Sequence, residues 1–330
     1  MNWKRASPRT RVLAIVAAVA AVAAGLTVGV TVLTATHPGE AAPKARPGTP
    51  PLVLDLGVRI DGEARALRRA ARLYASGRRR QAAQVFEAYD SLQARVGLAF
   101  ARWPDDSLRR VEQLASEASD SAFAQLHLGF AFFWTGRGAQ AVAAWRRAVR
   151  AQPDSASAVE ADTLLHPNFA RGLPAFVPTF GPPPGLSRLS PPRQLRALAS
   201  AARRRDAHAK ILYGVALQHL GRPLSAERQY TAAAELAPND PQAQTAAAVG
   251  SFTKAAPVTA FSRLGPLTRR FPHAATVRFH LGLLLLWTGR LQAARIELRK
   301  AVADDPNGPL GREARLLLAR LKGVRTARSP

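Results

Sequence analysis

Between Ala122 and Pro153 the apolar and small residues fall at fixed places: Leu128, Gly129 and Phe132, then Gly136, then Ala141, Trp145 and Ala148, and last Pro153. The same slots recur from Ala275 as Leu281, Gly282, Leu285, Gly289, Ala294, Leu298, Ala301 and Pro306. From Ala207 they recur as Tyr213, Gly214, Leu217, Gly221, Ala226, Tyr230, Ala233 and Pro238. A weaker set from Glu63 offers Ala70, Leu73, Gly77, Ala82, Phe86 and Tyr89. This spacing predicts two antiparallel helices per window, joined by a positive-φ glycine turn, with the proline stopping the second helix. Small residues are expected where the helices cross. That places Gly129, Gly214 and Gly282 opposite Ala141, Ala226 and Ala294, with a large residue beside each contact.

The windows are parts of a larger duplication. Trp-Thr-Gly-Arg occurs at Trp134 and again at Trp287, and the flanking sequence aligns without a gap at an offset of 153. Weaker helix pairs about Asp90 to Ala118 and Pro241 to Phe271 align at the same offset through Val96-Gly97 and Val249-Gly250. Downstream, Glu160-Ala161 and Leu164-Leu165 match Glu313-Ala314 and Leu317-Leu318. In the first pair the offset falls to 144, which places nine extra residues near Ala234 to Gln242. Each half therefore reads as three helix pairs and a closing helix, about seven helices, the signature of a stacked repeat.

These slots resemble the tetratricopeptide repeat family, whose repeats carry a Leu-Gly pair, an apolar residue three on, and later a small residue, an aromatic and a proline. The resemblance implies an all-α fold of antiparallel helix-pair repeats in two halves, 52–165 and 193–325. It also implies a concave groove that takes up peptide segments. By carry-over the groove positions are Phe123, Leu126, Phe130, Phe133 and Trp134 in one half, and Phe279, Leu283, Leu286 and Trp287 in the other. One slot departs from the family: four residues into each unit, where a bulky side chain is common, stand Gln125, Arg278, Lys210 and Ala66. Packing between consecutive units is in question there.

Helix one of the Ala122 window, AFAQLHLGFAFFWT, is apolar on every side, and such a helix is buried on every side. Two occupants of the groove are open: a partner peptide, or the chain itself. The joining stretch 166–192 carries Pro174, Pro178, Pro182 to Pro184 and Pro191-Pro192, so it is expected to be extended. Phe169, Phe176, Val177 and Phe180 make it too apolar for a free spacer, and it is expected to be pinned to a groove.

Val12 to Ala35 is a run of twenty-four residues without a charge, preceded by Lys4, Arg5, Arg9 and Arg11 and followed by only Lys44 and Arg46. Its length suits a membrane span, and the charge bias keeps residues 1–11 in the cytoplasm. The run is longer than a cleaved signal peptide needs, and Leu33 is bulky where a cleavage site wants a small residue. The expected arrangement is a bacterial single-pass signal anchor at 12–35, a Pro/Gly/Ala-rich spacer at 36–51, extracytoplasmic repeats and a tail at 326–330.

Composition narrows the chemistry. Cysteine is absent from the 330 residues, so disulfides, thiolate metal sites and a thiol nucleophile are excluded. The net charge of +25 comes almost wholly from arginine, six of 47 basic residues being lysine, which reads as solvated helix surface rather than a nucleic-acid site. His127 and His280 fill equivalent slots, which shared packing explains. His208 and His219, or His273 and His280, lie too far apart along one helix to share a metal. No nucleotide, hydrolase or zinc-protease motif occurs. No catalytic, metal or cofactor residues are expected. The reading is a non-enzymatic, membrane-anchored scaffold that binds a protein or peptide partner. The alternative is attachment of its arginine-rich exterior to an anionic envelope polymer or lipid surface.

Overall fold

A computed structural model describes residues 45–321. The predicted span at 12–35 and the tail at 326–330 lie outside the described residues. Among the described residues no helix is long and apolar enough to cross a membrane. Every regular element there is helical, and the described chain divides into two compact units, one of residues up to Pro167 with Leu220–Arg222 and one of Asn168–His219 with the residues from Pro223 on.

The first unit holds α1 (Gly62–Ala75), α2 (Arg79–Glu87), α3 (Leu92–Ala101), α4 (Ser107–Glu117), α5 (Ala122–Trp134), α6 (Gly138–Ala151) and α7 (Ala156–Leu165). The second holds a 3-10 turn at Leu186–Arg188, then α8 (Pro191–Ala202), α9 (Ala207–His219), α10 (Pro223–Leu236) and α11 (Pro241–Gly250). It continues with α12 (Val258–Arg270), α13 (Ala275–Trp287), α14 (Leu291–Asp304) and α15 (Pro309–Leu321). The pairs α1/α2, α5/α6, α9/α10 and α13/α14 are the four windows of the sequence pattern. The second half carries one helix more than the seven expected: α8, which follows the proline-rich stretch and packs on α9.

Local signals explain the boundaries. Asp61, Ser91, Ser121 and Ser155 each accept the backbone N–H three residues on, capping α1, α3, α5 and α7. Gly77, Gly136, Gly221 and Gly289 turn their hairpins at φ between 68° and 82°, a region costly for other residues. Pro153, Pro238 and Pro306 each stand two residues past the end of a second helix.

The crossings differ from the expected glycine-on-alanine contact. A Cβ on Gly129 would lie 2.2 Å from the Trp145 indole nitrogen, one on Gly214 would lie 2.5 Å from the Tyr230 ring, and one on Gly282 would lie 2.8 Å from Leu298 Cγ. Each glycine makes room for the large side chain four residues beyond the alanine. Ala141, Ala226 and Ala294 are buried, but the bulky partner sets the close approach. Trp145 is locked there by donating from Nε1 to the Leu126 carbonyl at 3.3 Å.

The departing slot has a role of its own. Gln125 donates to Ala115 O at 3.1 Å, Lys210 to Ala202 O at 2.6 Å and Arg278 to Thr268 O at 3.4 Å. Gln244 at the same turn of α11 donates to Ala234 O at 2.9 Å. In all four, the fourth residue of a helix satisfies a carbonyl at the end of the helix before it, where carbonyls lack intrahelical partners. Consecutive units are thus joined by a polar tether in place of a bulky apolar side chain.

Candidate functional site

Each half holds one helix without a polar face, α5 and α13. Every residue of α5 except Phe133 is buried, among them His127 at 0% exposure. Its equivalent His280 on α13 is also at 0%. A buried polar ring must find partners on both nitrogens. His127 Nδ1 lies 2.7 Å from the Phe123 carbonyl and His280 Nδ1 lies 2.7 Å from the Thr276 carbonyl, so in both rings Nδ1 carries the proton. Nε2 is left as an acceptor. Burial pushes both rings down to about 4, outweighing the backbone hydrogen bond that favours protonation.

The donors to Nε2 come from extended segments of the chain itself. The Val53 amide donates to His127 at 3.2 Å, and the Val177 amide donates to His280 at 2.9 Å. Residues 45–57 form one strap and residues 169–182 another, and neither contains a helix. Laid side by side at an offset of 124, the first strap reads Gly48, Pro50, Leu52, Val53, Leu56 and Gly57, and the second Gly172, Pro174, Phe176, Val177, Phe180 and Gly181. Gly48 and Gly172 share a positive φ of 80° and 77°. Pro50 and Pro174 are both buried.

Two further tethers repeat. Tyr74 Oη donates to the Pro50 carbonyl at 2.5 Å, and Gln218, which aligns with Tyr74 at the offset of 144, donates to the Pro174 carbonyl at 2.8 Å. Gln93 donates to the Asp55 carbonyl at 2.9 Å, while Gln242 accepts the Thr179 amide, the matching strap position, at 2.8 Å. The Gln218 side chain also accepts from the Phe176 amide at 3.1 Å. All of these bonds reach the backbone of the strap. Side chains add apolar cover: Phe176 stacks on the His280 ring at 4.6 Å, and Leu52 and Leu54 pack on the cluster of Val96, Leu114 and Phe123.

The residues expected to line a groove therefore fall into two groups. Phe123 lies beneath the first strap, and Phe133, half-buried, lies 3.8 Å beneath the Arg46 guanidinium. Phe279, Leu283, Leu286 and Trp287 share a cluster with Val177 of the second strap, and Trp287 also meets the cluster that holds Phe169 and Leu173. Leu126, Phe130 and Trp134 belong to the large core cluster, which also takes in Leu56 of the strap, with the Phe130 ring edge-on to Trp134 at 6.5 Å and to Trp145 at 6.1 Å. Trp134 is reached by the strap through its backbone, its carbonyl accepting from the Arg46 amide at 2.8 Å.

The joining stretch thus packs in the second groove. Residues 45–51, expected as spacer, continue into 52–57 as the first strap. Nothing in the sequence pattern singles out Tyr74, Gln93, Gln218 or Gln242; each sits on an ordinary helix, and its partner is 24 to 63 residues away. A cavity of about 410 Å³ remains beside the start of the first strap, lined by Arg46, Thr49, Arg79, Trp103 and Trp134. Among the described residues no three acidic or histidine side chains converge on a point that would hold a metal. The geometry is suited to holding extended polypeptide by its main chain.

Paired antiparallel helices with a glycine-turned hairpin, stacked in series around an extended segment, define a helix-hairpin repeat protein. Residues 123–155, which take in α5, its turn and α6, match the family model described as tetratricopeptide repeat. No curated protein sequence matches the chain. Among solved structures it is similar to YrrB, "a TPR protein with an unusual peptide-binding site", at 16% identity and a TM-score of 0.30, over 62% of this chain and 97% of that one. It is also similar to the TPR2AB domain of yeast Sti1, at 12% identity and a TM-score of 0.30, over 79% and 98% of the two chains. Yeast Tom70 matches at 11% identity and a TM-score of 0.31, over 79% of this chain and 53% of that one.

Proposed function

We propose that this chain is a non-enzymatic scaffold that binds another protein, held at a bacterial membrane by residues 12–35 with the repeats on the extracytoplasmic side. The observation that carries the binding reading is the repeated one: each half grips an extended polypeptide through its main chain. A groove that holds a backbone by hydrogen bonds and covers a few of its apolar side chains is suited to an extended segment of a partner. The positions proposed to meet that partner are Phe123, Leu126, Phe130, Phe133 and Trp134, with Phe279, Leu283, Leu286 and Trp287. The test is crosslinking capture from membranes with wild-type protein and with Phe133→Ala and Trp287→Ala, chosen because both side chains are only half-buried. Loss of a specific partner from folded variants supports the reading. Unchanged capture removes the grooves as the docking site. A reporter fused after residue 330 checks the proposed side of the membrane.

One observation favours a second surface. The segment around the additional helix, residues 182–205, contains Arg188, Arg193, Arg196, Arg203, Arg204 and Arg205 and no acidic residue. All six are exposed. Arg193, Arg196 and Arg203 share the outward face of α8, opposite the buried Leu198 and Ala202. Such a face suits an anionic lipid surface, and binding to phosphatidylglycerol vesicles that falls steeply with salt, and is lost in an Arg193→Gln/Arg196→Gln/Arg203→Gln variant, checks it.

A further inference from the structure

The first strap is attached to its groove in a way that any extended chain with the right residues reproduces. Five tethers, Arg46 N to Trp134 O, Tyr74 Oη to Pro50 O, Val53 N to His127 Nε2, Gln93 Nε2 to Asp55 O and Arg68 Nη2 to Gly57 O, all use strap backbone. Selectivity comes from what the two straps share: glycine at a positive φ, a buried proline two residues on, an apolar residue two beyond that, then a residue with a free amide, and a second apolar residue three further. The position whose amide meets the histidine is valine in both straps, and proline there is excluded because it has no N–H to donate.

The two straps differ in how they are held. The second is fixed between α7 and α8, and its Phe176 is buried and stacked on His280. The first is continuous with α1 through the short stretch from Gly57 to Asp61, where Gly57 is exposed at φ 49° and a Cβ on it would meet open space, and where Arg68 donates to the Gly57 and Arg59 carbonyls at 3.2 and 2.7 Å. Leu52, Val53 and Leu54 are only half-buried, and the cavity beside Arg46 leaves its start loosely covered.

We infer that the first groove is a binding site for an extended segment of another polypeptide with the pattern Gly-x-Pro-x-apolar-Val-x-x-apolar, and that the strap is its resident competitor. His127 selects for main chain: its Nε2 accepts the amide of the ligand residue that replaces Val53. Because the strap is tethered, it competes at a high effective concentration, so the free site is exposed only when the strap is weakened or outbid. The inference rests on the scaffold reading above and adds the ligand's chemistry and its regulation.

The test uses a labelled peptide with the sequence of residues 45–58 and the full chain as wild type, Val53→Pro, and Val53→Pro with His127→Leu. Val53→Pro removes the strap's amide donor and is expected to bind the peptide on the order of tenfold or more tighter than wild type. The added His127→Leu change is expected to abolish that gain, and a peptide carrying proline in place of its valine should not bind. A second arm avoids any folding defect: a protease site placed between Gly57 and Asp61 is cut in the folded protein, and exchange of the released strap for labelled peptide is followed. Exchange that depends on His127 in either arm supports the site. A cut strap that stays bound until the protein unfolds, or binding indifferent to His127, overturns it and makes the strap a permanent part of the core. Intact partner capture alongside failed exchange would remove this site alone, whereas exchange without any partner would remove the scaffold reading.

Discussion

The Val177 amide and the His280 imidazole, 103 residues apart in sequence, meet at 2.9 Å with Phe176 stacked on the ring. His280 in turn donates from Nδ1 to the Thr276 carbonyl one helical turn back. The ring is therefore a neutral bridge between helix α13 and a strap, and Val53 with His127 builds the same bridge in the other half. Replacing His280 by leucine leaves the half-buried Val177 amide without its acceptor, while the Thr276 carbonyl keeps its helical bond. A loss of ~1–3 kcal/mol in urea unfolding is expected, larger than for a surface histidine such as His273 replaced in the same way.

The bridges make stability depend on pH with a fixed sign. Burial lowers both histidines from their ordinary value of 6.5 to about 4, so folding favours the neutral ring. Their contribution is complete above about pH 6.5 and is lost as pH falls toward 4, reaching roughly 3 kcal/mol for each histidine below that. Urea midpoints measured from pH 7 to pH 4 should fall in the wild type. In a His127→Leu/His280→Leu variant the curve should start lower and be flatter across the same window.

The glycine at each helix crossing predicts a ranking. Gly129→Ala drives a methyl into the rigid indole of Trp145, which is also held by its bond to Leu126, whereas Gly282→Ala meets the flexible Leu298 side chain. Both substitutions overpack, at ~1–3 kcal/mol, and Gly129→Ala should be the more damaging in thermal melts. Equal effects would mean that the indole moves as freely as the leucine.

The polar slot gives a graded pair. Gln125, 4% exposed, ties α5 to the Ala115 carbonyl and receives Arg147 at 2.9 Å. Gln125→Leu strands the carbonyl of the buried Ala115, while the exposed Arg147 turns to solvent, and should cost about 1–3 kcal/mol. Lys210→Met removes a single bond made by a half-buried side chain and should cost no more than about 1 kcal/mol by the same measurement.

The helix pairs are legible in the sequence because each depends on local signals: a serine or aspartate cap, a turn glycine, a proline stop and an apolar period. The glycine turns at 136, 221 and 289 follow directly from those signals. The partner of each crossing glycine does not, because spacing alone does not separate Ala141 from Trp145 on the facing helix, and side-chain size decides. The second strap is foreseeable because Phe169, Phe176 and Phe180 are out of place in a free linker. The first reads as spacer because Ala45 to Pro51 has no period, and its match to residues 169–175 is carried by a glycine and a proline. The histidines' role leaves no trace in the sequence. Their donors lie 74 and 103 residues away, on segments whose side chains say little about where their amides point.

Hydrogen exchange at the amides of Val53 and Val177 in the intact protein probes both latches at the bonding atom itself. Both amides should be strongly protected at neutral pH, and each should lose that protection when its own histidine, His127 or His280, is replaced by leucine. Exchange of either amide at the rate of an unstructured peptide would contradict a histidine-latched strap in that half.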